Sequence, residues 1–165
     1  MIELKNVNYE QYVKLIKYAS KKCDAFCLVL HSAFPYKLPP NYINSEFAEK
    51  LEPYLLHQTN RAKKWPGTHT NVKYLVLNVY KFIKGSRFII SEVSGFDFFE
   101  NQDNSVEDLC LLIDHKAWLI SVSHEKMYFI NNETDEDIIF FKSNGFDFRE
   151  TLADGEYYNQ CYVEY

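Results

Sequence analysis

The dipeptide His124–Glu125, in the segment SVSHE, carries the side chains best suited to acid–base chemistry in this sequence. An imidazole titrates near neutral pH, and an adjacent carboxylate can orient it or share its proton. The following residues, HEKMY, lack the second histidine of HExxH, which argues against a zinc-protease site. The same residues also fit an ordinary helix start, with His124 partly buried against Trp118 or Tyr128. The sequence favours this structural interpretation over catalysis.

Acidic residues form the second set of candidates, because charge is divided unevenly along the chain. Residues 1–95 hold 14 Lys and Arg against 7 Asp and Glu, whereas residues 96–165 hold 4 against 16. Acids gathered on one exposed face would steer a basic protein partner toward the surface. We therefore predict a binding surface made of seven carboxylates, namely Asp103, Glu107, Asp108, Glu133, Asp135, Glu136 and Asp137. The alternative is neutralisation within the fold, by ion pairs to Lys14, Lys17, Lys21, Lys63 or Lys64.

Metal, cofactor and nucleic-acid chemistry find little support. The spacing of Cys23 and Cys27 in CDAFC is not that of a zinc or redox motif. These two cysteines and the other two, Cys110 and Cys161, stand in apolar surroundings typical of buried residues. No glycine-rich phosphate loop is present. The basic, aromatic segment RAKKW at 61–65 has the composition of a single-strand binder, but the net charge of −5 argues against it. We expect no metal, no cofactor and no nucleic-acid partner.

No apolar run approaches the length of a membrane span, and the first residues lack a signal-peptide pattern. These features predict a cytoplasmic protein without membrane contact.

A short repeat raises the question of a site used twice. Gly-Phe-Asp-Phe occurs at 95–98 and again at 145–148, with dissimilar flanks. Each copy follows a predicted short helix, the first capped by Ser86 and the second by Thr134. We interpret both glycines as left-handed helix ends and both following phenylalanines as packing back on the last helical turn, Phe96 near Ile90 and Phe146 on Phe140 or Phe141. Neither Asp97 nor Asp147 is assigned to catalysis.

The elements that must position these residues follow from periodicity. An amphipathic helix is predicted after Asn8, a buried strand at 25–31, a proline-rich loop at 32–44 and a helical region from about Ser45 to Lys64, interrupted at Pro53. A turn at Pro66–Gly67, a strand at 71–82, a hairpin around His115 and Lys116, a helix at 133–143 and a C-terminal strand at 157–165 complete the prediction. The class is α+β, one domain over residues 1–165 with a mixed or mainly antiparallel sheet and helices packed on it.

The segment VEDLCLLIDHKAWLISVSHE at 106–125, followed by a helix, a glycine turn and a Tyr-rich end, resembles a family of small cytoplasmic bacterial proteins. The likeness extends over residues 9–165 and implies a single domain with SVSHE as a recurrent feature. The family has no established activity, so the resemblance implies no mechanism.

Two functions remain. The first is a non-enzymatic protein-binding module of the immunity, antitoxin or inhibitor type, which would use acidic residues and exposed tyrosines. The second is a small hydrolase or nuclease-like enzyme centred on His124 and Glu125. Small size, concentrated acidity and 13 tyrosines favour the first.

Overall fold

An eight-stranded antiparallel sheet with four helices packed on it forms the framework of the protein, as seen in a computed structural model. The structure describes residues 1–31, 46–71, 75–100, 106–151 and 162–165. The predicted α+β class is confirmed. The predicted loop at 32–44, and most of the predicted C-terminal strand, lie outside the described residues; Tyr162 forms a single β-bridge with Lys116.

The described helices and strands follow one another without a regular alternation. The helices are Tyr9–Ala19 (α1), Glu46–Leu51 (α2), Lys84–Ser91 (α3) and Asp135–Ser143 (α4). The strands are Ile2–Lys5 (β1), Ala25–His31 (β2), Leu55–Asn60 (β3), Lys64–Trp65 (β4), Thr68–His69 (β5), Leu75–Lys81 (β6), Val106–Ile113 (β7), Lys116–Val122 (β8), Met127–Ile130 (β9) and Asp147–Glu150 (β10). Short 3₁₀ turns occupy Glu52–Tyr54, Phe96–Phe99 and Ser123–Glu125.

The large sheet has the strand order β10-β1-β9-β8-β7-β2-β6-β3, and both of its faces are covered. Along β2, Phe26 and Leu28 point into a core shared with the helices, whereas Cys27 and Val29 point into a second core on the opposite face. That second core is closed by the small β4–β5 hairpin, which contributes Trp65. Because side chains alternate along a strand, burial on both faces explains the unbroken apolar run predicted for this segment.

Helix boundaries predicted from capping residues are confirmed for α1 and α4. The Asn8 side chain accepts from the Gln11 backbone N–H, and the Gln11 side chain accepts from the Asn8 N–H, which makes a reciprocal capping box. Thr134 and Asp137 form the equivalent pair at the start of α4. Ser86 is not the N-cap predicted for α3: the cap position is Ile83, and Ser86 lies three residues later, where its hydroxyl accepts from the Ile83 N–H.

The predicted helical region at 45–64 is correct only for its first part. Helix α2 and the 3₁₀ turn at Pro53 are present, but residues Leu55–Asn60 form strand β3 at one end of the described sheet order. Its backbone pairs with β6, for example Thr59 with Leu77. Such pairing joins distant parts of the chain, so it overrides a weak local helical preference.

The two Gly-Phe-Asp-Phe copies have different roles. Gly145 ends α4 as predicted: its φ is 69°, and the N–H of Phe146 donates to the Phe141 carbonyl at 3.0 Å, with the two rings packed edge to face. Gly95 does not end α3, which stops at Ser91; with φ 102° and ψ −158° it precedes a 3₁₀ turn. Phe96 stacks on Tyr128, with ring centroids 4.2 Å apart. The repeat is therefore a coincidence of sequence.

Replacing each glycine with alanine should separate these two roles. A Cβ at Gly145 would meet nothing within 4 Å, and one at Gly95 would reach Tyr12 and Tyr9 only at an ordinary contact distance of 4.0 Å, so both changes report backbone strain. We expect Gly145→Ala to lower the free energy of unfolding by about 1 kcal/mol and Gly95→Ala by about 2 kcal/mol, because its backbone region is almost exclusive to glycine. Urea unfolding measures both, and Asp97→Asn and Asp147→Asn are the controls. Equal, small effects of the two alanines would contradict the assignment.

Candidate functional site

His124 and Glu125 lie in the 3₁₀ turn between β8 and β9, and both are exposed. The His124 side chain is 52% accessible, so the expected burial against Trp118 or Tyr128 is wrong. Its Nε2 lies 3.8 Å from the Glu125 carboxylate, its immediate neighbour. Among the described residues, no carboxylate from a distant segment lies within ion-pair distance of this imidazole. The geometry thus brings His124 and Glu125 together but does not add an orienting partner.

Asp108, predicted to be an exposed binding residue, is fully buried instead. It lies at a β-bulge in β7, where Asp108 and Leu109 together oppose Leu28, and its φ is 55°. One carboxylate oxygen accepts from the Ser123 N–H at 2.7 Å; the other accepts from the Trp65 indole at 2.7 Å and the Thr68 hydroxyl at 3.4 Å. Asp108 therefore joins the β4–β5 hairpin to the turn that carries His124.

The environment of Asp108 also changes its acidity. Burial raises its pKa to about 6, although the hydrogen bonds from Ser123 and Trp65 act in the opposite direction. The neighbouring Glu107 raises the pKa further, and His124 lowers it. A carboxylate that titrates near pH 6 would suit acid–base chemistry, but in Asp108 both oxygens are already occupied by structural donors. We interpret it as a structural group.

Asp137 is a second acid that was predicted to lie on the binding surface but is buried. Its side chain is fully buried at the start of α4 and accepts from Lys22 Nζ at 2.5 Å, the Tyr18 hydroxyl at 2.7 Å and the Trp118 indole at 3.4 Å. The Thr134 N–H and hydroxyl also donate to it. Burial alone would raise its pKa, but the bonds from Lys22, Thr134 and Tyr18 outweigh burial and lower it. Asp137 is a capping and packing residue.

The remaining predicted acids do not share one arrangement. Glu107 pairs with His31, with 3.0 Å between Oε1 and Nε2, and Glu133 pairs with the Met1 amino group at 2.9 Å. Asp135 and Glu136 are exposed in the first turn of α4, and Asp103 lies outside the described residues. The alternative of neutralisation by the five lysines also fails for the described acids: of those lysines, Lys14 pairs, but with Glu10. The acidic half is therefore partly buried and partly dispersed.

A feature not predicted from sequence is a groove of about 670 Å³ between α1 and α3. Its lining combines apolar and cationic side chains from both helices with the Tyr54 ring, namely Val13, Ile16, Lys17, Tyr54, Lys84, Gly85, Arg87, Phe88, Ile89 and Ser91. The Tyr12 hydroxyl, on α1, donates to the Ile90 carbonyl, on α3, at 2.5 Å. A buried hydrogen bond therefore joins the two helices that form the groove.

Gly85 and Phe88 determine the shape of this groove. A Cβ at Gly85 would lie 2.1 Å from the Tyr54 hydroxyl, so the glycine lets the Tyr54 ring lie against α3. Phe88 is 62% exposed although it is a large apolar side chain. A short helix was predicted in this segment, without an assignment of Phe88 to the core or to the surface. The sequence signal that one side chain would be exposed is that Phe88, Ile89 and Ile90 are consecutive and cannot all share one face of a short helix.

Three cationic side chains stand around the groove: Lys17 on α1, and Lys84 and Arg87 on α3. None of them forms an ion pair with a carboxylate among the residues that the structure describes. Part of the excess positive charge of residues 1–95 is therefore concentrated beside an apolar surface. This combination is the best candidate for a binding site.

Over the described ranges, no group of three or more His, Cys, Asp or Glu side chains is placed to hold a metal ion. Cys23, Cys27 and Cys110 are buried thiols, as predicted, and Cys161 is outside the described residues. None of the described helices is long and apolar enough to cross a membrane. Comparisons of the chain with models of protein families, with curated proteins and with solved structures give no match. The family resemblance of residues 106–125 stays a prediction.

Proposed function

We propose that the chain is a non-enzymatic protein-binding module of the immunity, antitoxin or inhibitor type, and that the groove between α1 and α3 is its recognition surface. The observation that carries this proposal is the exposed ring of Phe88 among the apolar side chains that line the groove. Aromatic side chains contribute strongly to protein interfaces when a partner buries them. Exposed contiguous apolar surface is a frequent mark of such interfaces.

This groove is positively charged, whereas the binding surface predicted from the sequence is negatively charged. A basic partner for the acidic half stays a prediction, and Asp135 and Glu136 are the described members of that set that remain both exposed and without a described ion pair. The groove offers apolar area as well as charge, whereas two carboxylates on one helical turn offer charge alone. Since buried apolar contacts supply most of the affinity of a protein interface, the groove supports binding better.

A crosslinking experiment with a matched control tests the proposal. A photoreactive phenylalanine analogue replaces Phe88 in one variant and Ile139 in the other, because Ile139 is equally exposed, at 64%, on α4. The two proteins are irradiated in cells of the native host, and captured proteins are identified. We expect a partner at position 88 that is absent at position 139.

The captured protein is then purified, and its affinity is measured against wild type, Phe88→Ala and Ile139→Ala. Phe88→Ala should weaken binding about tenfold or more, the loss of roughly 1.4 kcal/mol or more that a central aromatic contact gives. Ile139→Ala should leave it within about twofold. Equal effects of the two substitutions, or capture at position 139 alone, would show that the groove is not the recognition surface.

A further inference from the structure

We propose that the groove takes an amphipathic helix of the partner whose apolar stripe is flanked by acidic side chains. This inference rests on the protein-binding function proposed above and specifies the chemistry of the segment that is bound. It follows from where the cations stand, from the kind of walls the groove has and from how open it is.

The cations stand on both walls of the groove. Lys17 lines the groove from α1, and Lys84 and Arg87 line it from α3, together with apolar side chains of both helices. A ligand that fits this pattern has an apolar centre and negative charge on its two sides. An amphipathic helix with carboxylates beside its apolar stripe has that cross-section.

The first turn of α3 carries a charge opposite to the usual preference. Lys84 begins the helix, Arg87 follows three residues later, and no acidic residue is present in this turn. Positive charge near a helix N-terminus is unfavourable, because the backbone dipole is already positive there. Carboxylates of a bound segment would offset this unfavourable charge, so the cations of the first turn favour an acidic ligand.

The walls favour a helical occupant over an extended one. Extended peptides gain affinity by adding a strand to an exposed sheet edge through main-chain hydrogen bonds. The described lining of this groove comes from α1, α3 and the 3₁₀ turn that carries Tyr54, and it includes no strand edge. Helix packing against two neighbouring helices needs only side-chain contacts.

The openness of the groove argues against a small anionic amphiphile. Sites for small molecules enclose about 70–90% of the ligand surface. Phe88 remains 62% exposed, and Lys17 and Lys84 are also exposed, so a small ligand would stay largely in water. A protein segment brings its own body to cover that opening.

Three synthetic peptides of about 16 residues provide the test, each long enough for roughly four helical turns. All three have leucine at positions i, i+3, i+4 and i+7, and they differ only in the flanking residues, which are Glu, Gln or Lys. Binding is measured by fluorescence anisotropy at low and at physiological salt. The Glu peptide should bind at least about tenfold more tightly than the Lys peptide, and its affinity should fall as salt rises.

Charge-reversal variants connect that preference to the groove. Lys17→Glu combined with Arg87→Glu should abolish binding of the Glu peptide and permit binding of the Lys peptide. Lys21→Glu, an exposed lysine that does not line the groove, should change neither affinity. Circular dichroism confirms that the variants keep the wild-type fold.

Each other outcome is decisive. Equal binding of the three peptides, all lost in Phe88→Ala, would overturn the acidic partner and leave the groove as a recognition surface. No binding of any peptide would overturn the helical occupant; the protein-binding function itself fails only if crosslinking at position 88 also captures no partner. Saturable binding of dodecanoate that excludes the Glu peptide would assign the groove to a small anionic amphiphile instead.

Discussion

Replacing Asp137 with alanine should lower the free energy of unfolding by about 3 kcal/mol at pH 7. The substitution removes the acceptor of bonds from Lys22, Tyr18, Trp118 and Thr134. Tyr18 and Trp118 are buried, so their donors would lose a partner without gaining water. The Lys22 side chain is 21% exposed, and its Nζ lies over the Tyr18 and Trp118 rings, so the ion pair is not fully buried. This places the expected cost at the lower end for a buried pair.

Asp135→Ala is the matched control, because Asp135 lies in the same helical turn but is exposed. It should change the free energy of unfolding by no more than about 0.5 kcal/mol. The pKa of Asp137 is lower in the folded than in the unfolded protein, so its contribution is complete above the unfolded pKa of about 4 and is lost as pH falls through the folded pKa. Urea unfolding at several pH values measures this, and equal effects of the two alanines would contradict the role given to Asp137.

Replacing Asp108 with alanine should also lower the free energy of unfolding by about 3 kcal/mol, for different reasons. The Ser123 N–H and the Trp65 indole would be left as buried donors, at about 1–3 kcal/mol each, while removal of a buried carboxylate offsets part of that cost. Alanine would also have to adopt the left-handed φ of 55°, at a further 1 kcal/mol or more. The effect of Asp108→Ala should be smaller when Trp65 is already phenylalanine, since one of the donors is then absent. Additive effects in this double-mutant cycle would argue against the bond.

The pH dependence of Asp108 has the opposite sign to that of Asp137. Its folded pKa of about 6 lies above its unfolded value, so between about pH 4 and pH 6 the folded protein holds a proton that the unfolded chain has released. Wild-type stability should therefore fall through this window as pH rises, by up to about 3 kcal/mol from this group. Asp108→Asn tolerates the left-handed backbone and does not titrate, so its stability curve should lack this fall. A fall of the same size in both proteins would assign it to other groups.

The parts of the fold that were predicted correctly depend on neighbours in sequence. The capping pair Asn8–Gln11 and the glycine end at Gly145 are complete within a few residues, so their chemistry is readable from the chain itself. Strand β3 was not predicted, because it is stabilised by pairing with β6, which lies later in the chain. A local pattern carries no record of such a partner.

The same distinction explains the site. Charge counts predicted that the acids would act together, but burial of Asp108 depends on Trp65, 43 positions away, and burial of Asp137 depends on Tyr18, 119 positions away. The groove joins side chains of α1 to side chains of α3, and its lining was invisible until the two helices were placed side by side. The basic charge of residues 1–95 was readable from the sequence, whereas its position beside Phe88 was not.

Strand β1 has a consequence for how the protein is made. It lies between β9 and β10, and Ile2 pairs with both Ile130 and Glu150. During synthesis this segment emerges from the ribosome well before either neighbour exists. Its two apolar residues, Ile2 and Leu4, are therefore buried only after nearly the whole of the described chain has been synthesised. Closing so long a loop is entropically costly and slow, so the pairing of β1 with β9 and β10 should form late in the folding of the nascent chain.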